Sequence, residues 1–128
     1  MQLMTPEWAA AYTEAWNNDE EVTKKLRKFS SVFKYSISDR KDLEPIVIEV
    51  EKGICATFGT EDQYDNVEFE ITADSNSWKK VFEGERNIKK IKLTDGFDFK
   101  GPKVKAMMNK SGLERSVELM LQMENVVV

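Results

Sequence analysis

Apolar residues recur along the chain with two different periods, and the switches between them predict its elements. Trp8, Tyr12, Ala15 and Trp16 are three or four residues apart, the repeat of one helical face. Thr5 stands before them as a cap, and Pro6 occupies the first helical position, where proline is tolerated. Asn17-Asn18 ends this helix. Asp19 then heads three acids suited to a helix N-terminus, and Val22, Leu26 and Phe29 supply the stripe of a second helix. From Phe33 the period becomes two. Phe33, Tyr35 and Ile37 alternate with Lys34 and Ser36, and Ile46, Ile48 and Val50 alternate around Glu49. A Lys52-Gly53 turn leads into Ile54, Ala56 and Phe58, and Val67, Phe69 and Ile71 alternate with Glu68 and Glu70. Each stretch has one apolar and one polar side, as in antiparallel strands covered on one face.

Helical spacing returns after Asp74 or Ser75, either of which suits a cap, with Trp78, Val81 and Phe82, and it stops at Gly84. Ile88, Ile91 and Leu93 are ambiguous between a short helix and a strand. Asp95-Gly96 marks a tight turn, and Phe97 and Phe99 form a last strand ended by Gly101-Pro102. Val104, Met107 and Met108 start a helical pattern that Gly112 interrupts and that Leu113, Val117, Met120 and Leu121 continue. No repeat or linker divides the chain. The order predicts one α+β domain over residues 1–128, a mainly antiparallel sheet with helices packed on one face.

Composition narrows the chemistry. A chain of 128 residues is one ordinary domain. With 41% hydrophobic and 33% charged residues it has a soluble globular make-up. No apolar run approaches the ~20 residues of a spanning helix, and no secretory leader is visible. There is one cysteine and no histidine. That excludes an internal disulfide and the usual histidine-based triads, and it nearly excludes a zinc site. A cytoplasmic location is the expectation. The composition favours a binding module without cofactor or metal over an enzyme.

The net charge of −4 is unevenly spread. Residues 42–78 hold ten acids against Lys52 alone, whereas residues 79–110 hold ten bases against four acids. Mutual neutralisation within one fold is the simple reading. The alternative is transient contact of Lys79–Lys110 with an anionic membrane surface. No aromatic residues are interleaved for base stacking, so nucleic acid is not an expected partner.

Four of the six methionines stand at 107, 108, 120 and 123. Methionine fills core gaps, and it also suits surfaces that adapt to variable apolar guests. The alternating aromatics likewise suit either a core or an apolar pocket. Glu49 with Glu51 and Glu68 with Glu70 read as solvated sheet face rather than as shielded acid–base pairs. The strand register points Cys55 away from Ile54 and Ala56, and the thiol reads as inert. Gly59-Thr60 and Lys110-Ser111-Gly112 lack the spacing of a phosphate loop.

From Val67 onward the motif order becomes diagnostic. Val67-Glu68-Phe69-Glu70-Ile71-Thr72-Ala73 precedes Trp78-Lys79-Lys80-Val81-Phe82-Glu83-Gly84. Asn87 and Ile91 follow, then Asp95-Gly96-Phe97-Asp98-Phe99-Lys100-Gly101 and a final amphipathic helix. This run resembles the sterol carrier protein family (type two), and the Ile46–Phe58 hairpin fits the same family. The similarity spans about residues 20–122, with helix 5–18 as an N-terminal extra. Pro102 after Gly101 departs from the family's frequent acidic residue. The family's peroxisomal tripeptide is not found in Val126-Val127-Val128.

The resemblance implies a five-stranded sheet flanked by helices, and an apolar tunnel for sterol, fatty acid, acyl-CoA or phospholipid. It also implies that the methionine-bearing C-terminal helix lines or covers that tunnel. The expected lining is Phe33, Ile48, Phe69, Trp78, Phe82, Ile91, Phe97, Met107, Met108, Val117, Met120 and Leu121, with no catalytic or metal-binding residue. Two other readings remain at this point. One is an interaction module closed by a partner or by self-association, using Val126–Val128. The other is a small enzyme with Tyr35 and either Asp98 or Glu70 in an apolar pocket.

Overall fold

Side-chain caps set the start of the first three helices. Thr5 accepts from the Trp8 amide at 3.3 Å, Asp19 from Val22 at 2.8 Å and Asp74 from Ser77 at 2.7 Å. Asp74 is the third cap because the Ser75 amide and hydroxyl both donate to Asp39. A computed structural model describes residues 1–84 and 96–128. In chain order its elements are α1 (Pro6–Asn17), α2 (Glu20–Lys25), β1 (Ser31–Ile37), β2 (Ile46–Glu51), β3 (Ile54–Thr60), β4 (Phe69–Ala73), α3 (Ser75–Phe82), β5 (Phe97–Lys100), α4 (Lys103–Met108) and α5 (Lys110–Gln122). The ambiguous stretch around Ile88, Ile91 and Leu93, and Asp95, lie outside the described residues.

The five strands run in the order β3-β2-β1-β4-β5. Three neighbouring pairs are antiparallel, but β1 and β4 are parallel, so the sheet is mixed. Alternation shows which face of a strand is covered and carries no information about direction. The β1–β2–β3 meander ends with the chain at the far end of β1, and it must travel back before β4 can pair. The return crosses the polar face of the sheet. Lys34 reaches Glu61 there at 2.6 Å, and the Tyr64 hydroxyl meets Thr57 at 2.8 Å. This crossing explains why Val47, on the supposedly wet side, is fully buried.

The opposite face carries Phe33, Tyr35, Ile48, Val50, Phe69 and Ile71 beneath the helices. Trp16 packs on Phe33 at 6.4 Å between ring centroids, and Trp8 and Tyr12 pack on Tyr35 at 6.0 and 6.2 Å. The Lys52-Gly53 turn forms as its composition predicts, with φ of 50° and 82°. Gly53 also docks α1, because its carbonyl accepts from Trp16 Nε1 at 2.9 Å.

Four expectations change at this level. A bulge leaves Ala56 unpaired, since Glu49 faces Thr57 and Val50 faces Cys55. Cys55 therefore turns into the core at 7% exposure, and Ile54 turns outward at 42%. Burial pushes the thiol up to about 12, which disfavours the reactive thiolate for a reason other than the expected register. The second helix ends at Lys25, with Phe29 beyond it. The C-terminal helical pattern breaks at Asn109 rather than at Gly112, giving two helices. Val126–Val128 are folded back on the chain's own N-terminal segment, where Leu3 N–H and Val127 C=O, and Val127 N–H and Met1 C=O, each bond at 2.7 Å.

Candidate functional site

Strand register assembles an aromatic floor. Pairing of β1 with β4 sets Phe33 beside Phe69, with ring centroids 5.3 Å apart and planes 18° apart. Phe99 on β5 adds a third ring 6.3 Å from Phe69. Gly101 ends β5 at φ 150°, and a Cβ there would lie 2.3 Å from the Phe69 ring, so glycine is required by the close approach. Asp74 starts α3 so that Trp78 turns over the end of the sheet. Its indole donates to the Ser36 carbonyl at 3.1 Å and meets Phe97 edge-on at 4.9 Å, with Phe82 at 6.5 Å.

Helix α5 packs on α1 and α2, and its two neighbouring stripes differ. Gly112, Ser116, Leu119 and Met120 are buried. Gly112 abuts Leu26, and the Ser116 carbonyl accepts from the Tyr12 hydroxyl at 2.8 Å. Arg115 clamps the same side through two bonds to Asp19, at 2.8 and 3.1 Å. The adjacent stripe of Leu113, Val117 and Leu121 is only half-buried against the core, as are Phe82 and Phe99.

The expected lining residues divide into four groups. Phe33, Ile48, Phe69, Trp78, Phe97 and Met120 are packed into the closed core. Phe82, Val117 and Leu121 border it and remain half-buried. Met107 and Met108 are not brought to the core and stand exposed at 69% and 80%. Ile91 lies outside the described residues. Leu113 and Phe99 were missed as lining candidates, although Leu113 shares the four-residue spacing of Val117 and Leu121, and Phe99 the alternation of Phe97.

The electrostatics of the two sheet faces are opposite. On the polar face Lys34 is held above the ordinary lysine range, chiefly by its hydrogen bond to Glu61, and it also reaches Glu70 at 3.4 Å. Ser36 and Thr72 bond to each other at 2.8 Å. On the apolar face, burial raises both Tyr12 and Tyr35 above the ordinary tyrosine range. Tyr35 thus lies on the opposite face from Glu70 and Asp98, which share the side of Lys34 and Thr72. The acid–tyrosine pair considered from the sequence is not assembled. Among the described residues no cluster of three potential metal ligands occurs, and no helix is long and apolar enough to cross a membrane.

A five-stranded mixed sheet with one polar face and one aromatic face packed beneath helices is an α+β domain. The model of the SCP-2 sterol transfer family matches residues 11–114, and the chain belongs to that family. The match begins inside α1 and ends inside α5. Among solved structures, the fold is similar to the crystal structure of sterol carrier protein 2, with a TM-score of 0.80 at 20% identity, over 94% of this chain and 98% of that one. It is also similar to TT1886 from Thermus thermophilus, described as possibly a sterol carrier protein. There the TM-score is 0.72 at 20% identity, over 95% and 90% of the two chains. The ubiquinone synthesis protein UbiJ-SCP2 shares the fold at a TM-score of 0.59 and 10% identity, over 91% and 92%. No curated protein sequence matches the chain.

Proposed function

We infer that the chain binds an apolar ligand (fatty acid, acyl-CoA, sterol or phospholipid) between the sheet and α5, and carries or transfers it without catalysis. The carrying observation is the half-buried stripe Leu113–Val117–Leu121, next to a stripe that is sealed against α1 and α2. Half-buried apolar surface along a helix is surface that a ligand can finish burying. Each buried methylene contributes ~0.8 kcal/mol, so about twelve contribute ~10 kcal/mol, and association costs of ~4 kcal/mol or more reduce this to an affinity of tens of micromolar or weaker. Family membership and the sterol carrier fold support the same reading. It includes a cytoplasmic location and contact of the Lys79–Lys110 region with donor and acceptor membranes.

The test is organic extraction and mass spectrometry of protein purified without detergent, beside titration with a fluorescent fatty acid. A stoichiometric lipid, or saturable uptake that Val117→Trp reduces by filling the space, is the expected result. An empty protein that also takes up no fatty acid would overturn the reading.

A further inference from the structure

The most exposed apolar side chains of the described residues are concentrated on one short helix. Val104, Met107 and Met108 of α4 are 70%, 69% and 80% exposed. At 100° per residue they span one ~100° arc of the helix. Ala106 points the other way and packs against the core. Lys103 and Lys105 flank the arc on its two sides. Lys105 ties the helix down, since its Nζ donates to the Ser30 carbonyl at 2.7 Å and to Glu68 at 2.6 Å and sits 5.1 Å over the Phe29 ring. The apolar arc is therefore presented outward from an anchored back.

Charge selects the occupant. From Phe99 to Leu113 the chain has no acid and four lysines, although its net charge is −4. Lys100 and Lys110 are exposed, and their nearest acids are peripheral, Asp98 at 3.7 Å and Glu114 at 3.9 Å. An apolar arc rimmed by lysines matches an anionic bilayer, with the methionines among the acyl chains and the lysines at headgroup level. Two copies meeting arc to arc would bring like charges together, which disfavours self-association.

We propose that α4 is the membrane-docking element of this protein, seating Val104, Met107 and Met108 in the surface of an anionic lipid bilayer with Lys100, Lys103 and Lys110 around them. The proposal rests on the membrane contact of the carrier reading and narrows it to one helix, while docking and ligand binding can fail separately.

The experiment is co-sedimentation of the full chain with phosphatidylcholine vesicles, with and without phosphatidylserine. Binding is expected to require phosphatidylserine and to fall as salt rises and screening tightens. Met107→Asp combined with Met108→Asp is expected to weaken binding about tenfold or more, and Lys103→Glu to weaken it less. Both variants change exposed residues, and an unchanged Tm confirms the fold; Val104→Ser is the milder substitute. Absence of wild-type binding, or undiminished binding by the double variant, would overturn the proposal. So would a wild-type dimer by light scattering that the double variant dissolves, because a second copy would then cover the arc. Fatty-acid uptake without vesicle binding would sink docking alone, and vesicle binding without uptake would sink the carrier reading alone.

Discussion

Replacing Gly112 with alanine tests how α5 is seated, because two effects of similar size oppose each other there. In an exposed helix interior, alanine is better than glycine by ~0.8–1.0 kcal/mol. At Gly112 the added Cβ would lie 2.4 Å from Leu26 Cδ2, 2.6 Å from Leu26 Cγ and 3.3 Å from Lys25 Cβ. Ordinary carbon contacts are ~3.5–4.0 Å. Leu26 has little freedom to yield. It is fully buried, and its carbonyl is held by the Phe29 amide at 2.8 Å. Rotation about Cβ–Cγ leaves Cγ in place, and a change of χ1 would have to swing a fully buried side chain into its neighbours. Overpacking of this kind costs about 1–3 kcal/mol. The net expectation is destabilisation by about 1 kcal/mol, a fall in Tm of about 3–5 °C for a domain of this size. Thermal unfolding followed by circular dichroism reads it. Leu26→Ala alone is expected to cost ~2–5 kcal/mol through the cavity it leaves. In that background Gly112→Ala loses its clash and regains its propensity gain, so the double variant is more stable than the two single losses predict. A rise in Tm for Gly112→Ala in the otherwise native chain would refute the argument, because the close helix–helix approach would then not be what requires glycine.

Met120→Glu places a carboxylate at a site that is 1% exposed and is expected to cost more than ~3 kcal/mol, whereas Met108→Glu, at 80% exposure, is expected to stay within ~0.5 kcal/mol in urea unfolding. Asn17 accepts from the Cys55 amide at 2.8 Å and donates to its carbonyl at 3.0 Å, closing the bulge on edge strand β3. Asn17→Ala should lower stability by about 1 kcal/mol and speed hydrogen exchange at the Cys55 amide; unchanged exchange would show that the bulge holds itself. Hydrogen bonding from Arg115, with help from the Val22 amide, lowers the Asp19 carboxyl below the ordinary carboxylate range against the opposing effect of burial. A lowered folded value means the stabilisation is present above the unfolded value of ~4 and is lost as pH falls through the folded one. Arg115→Ala should therefore differ most from the native chain at neutral pH and converge with it in acid; a gap that persists in acid would assign the loss to packing.

The sequence pattern carries information about faces, caps and turns, and among the described residues the helix caps, the Lys52-Gly53 turn and the covered faces of β1, β2 and β4 match it. Thr5, Asp19, Asp74 and Gly84 cap their helices through bonds to residues at most four positions away, and Lys52-Gly53 turns through its own positive φ angles, so local chemistry exposes them. The aromatic alternation in β1 and β4 marks the covered face for the same reason. Strand direction is a different kind of property. The β1–β4 parallel pair depends on where the segment after β3 can run, and neither strand encodes that path. The bulge at Ala56 is similarly silent, because Ile54-Cys55-Ala56-Thr57-Phe58 reads as ordinary alternation until one residue drops out of register. The crossing then has a consequence for the site. Glu61 and Tyr64 occupy the polar face, so the helices and any apolar ligand are left with the other.

The methionines show how one local break separates two roles. Even in a continuous helix from Val104 to Leu121, Met107, Met108 and Met120 would stand at roughly 0°, 100° and 220° around the axis, so no single helix face would give them a shared tunnel lining. The chain also turns at Asn109, with φ −117° and ψ 20°. α5 is then free to follow its own contacts, Gly112 on Leu26, Arg115 on Asp19 and Ser116 under Tyr12, which draw Met120 into the core. α4 follows Lys105, whose bonds to Ser30 and Glu68 turn Met107 and Met108 to the outside. The same side-chain chemistry thus fills a gap on one helix and is left uncovered on the next. What distinguishes the two positions in sequence is their company: Met120 sits among residues at helical spacing with Ser116 and Leu113, whereas Met107 and Met108 sit in a run of lysines without a single acid.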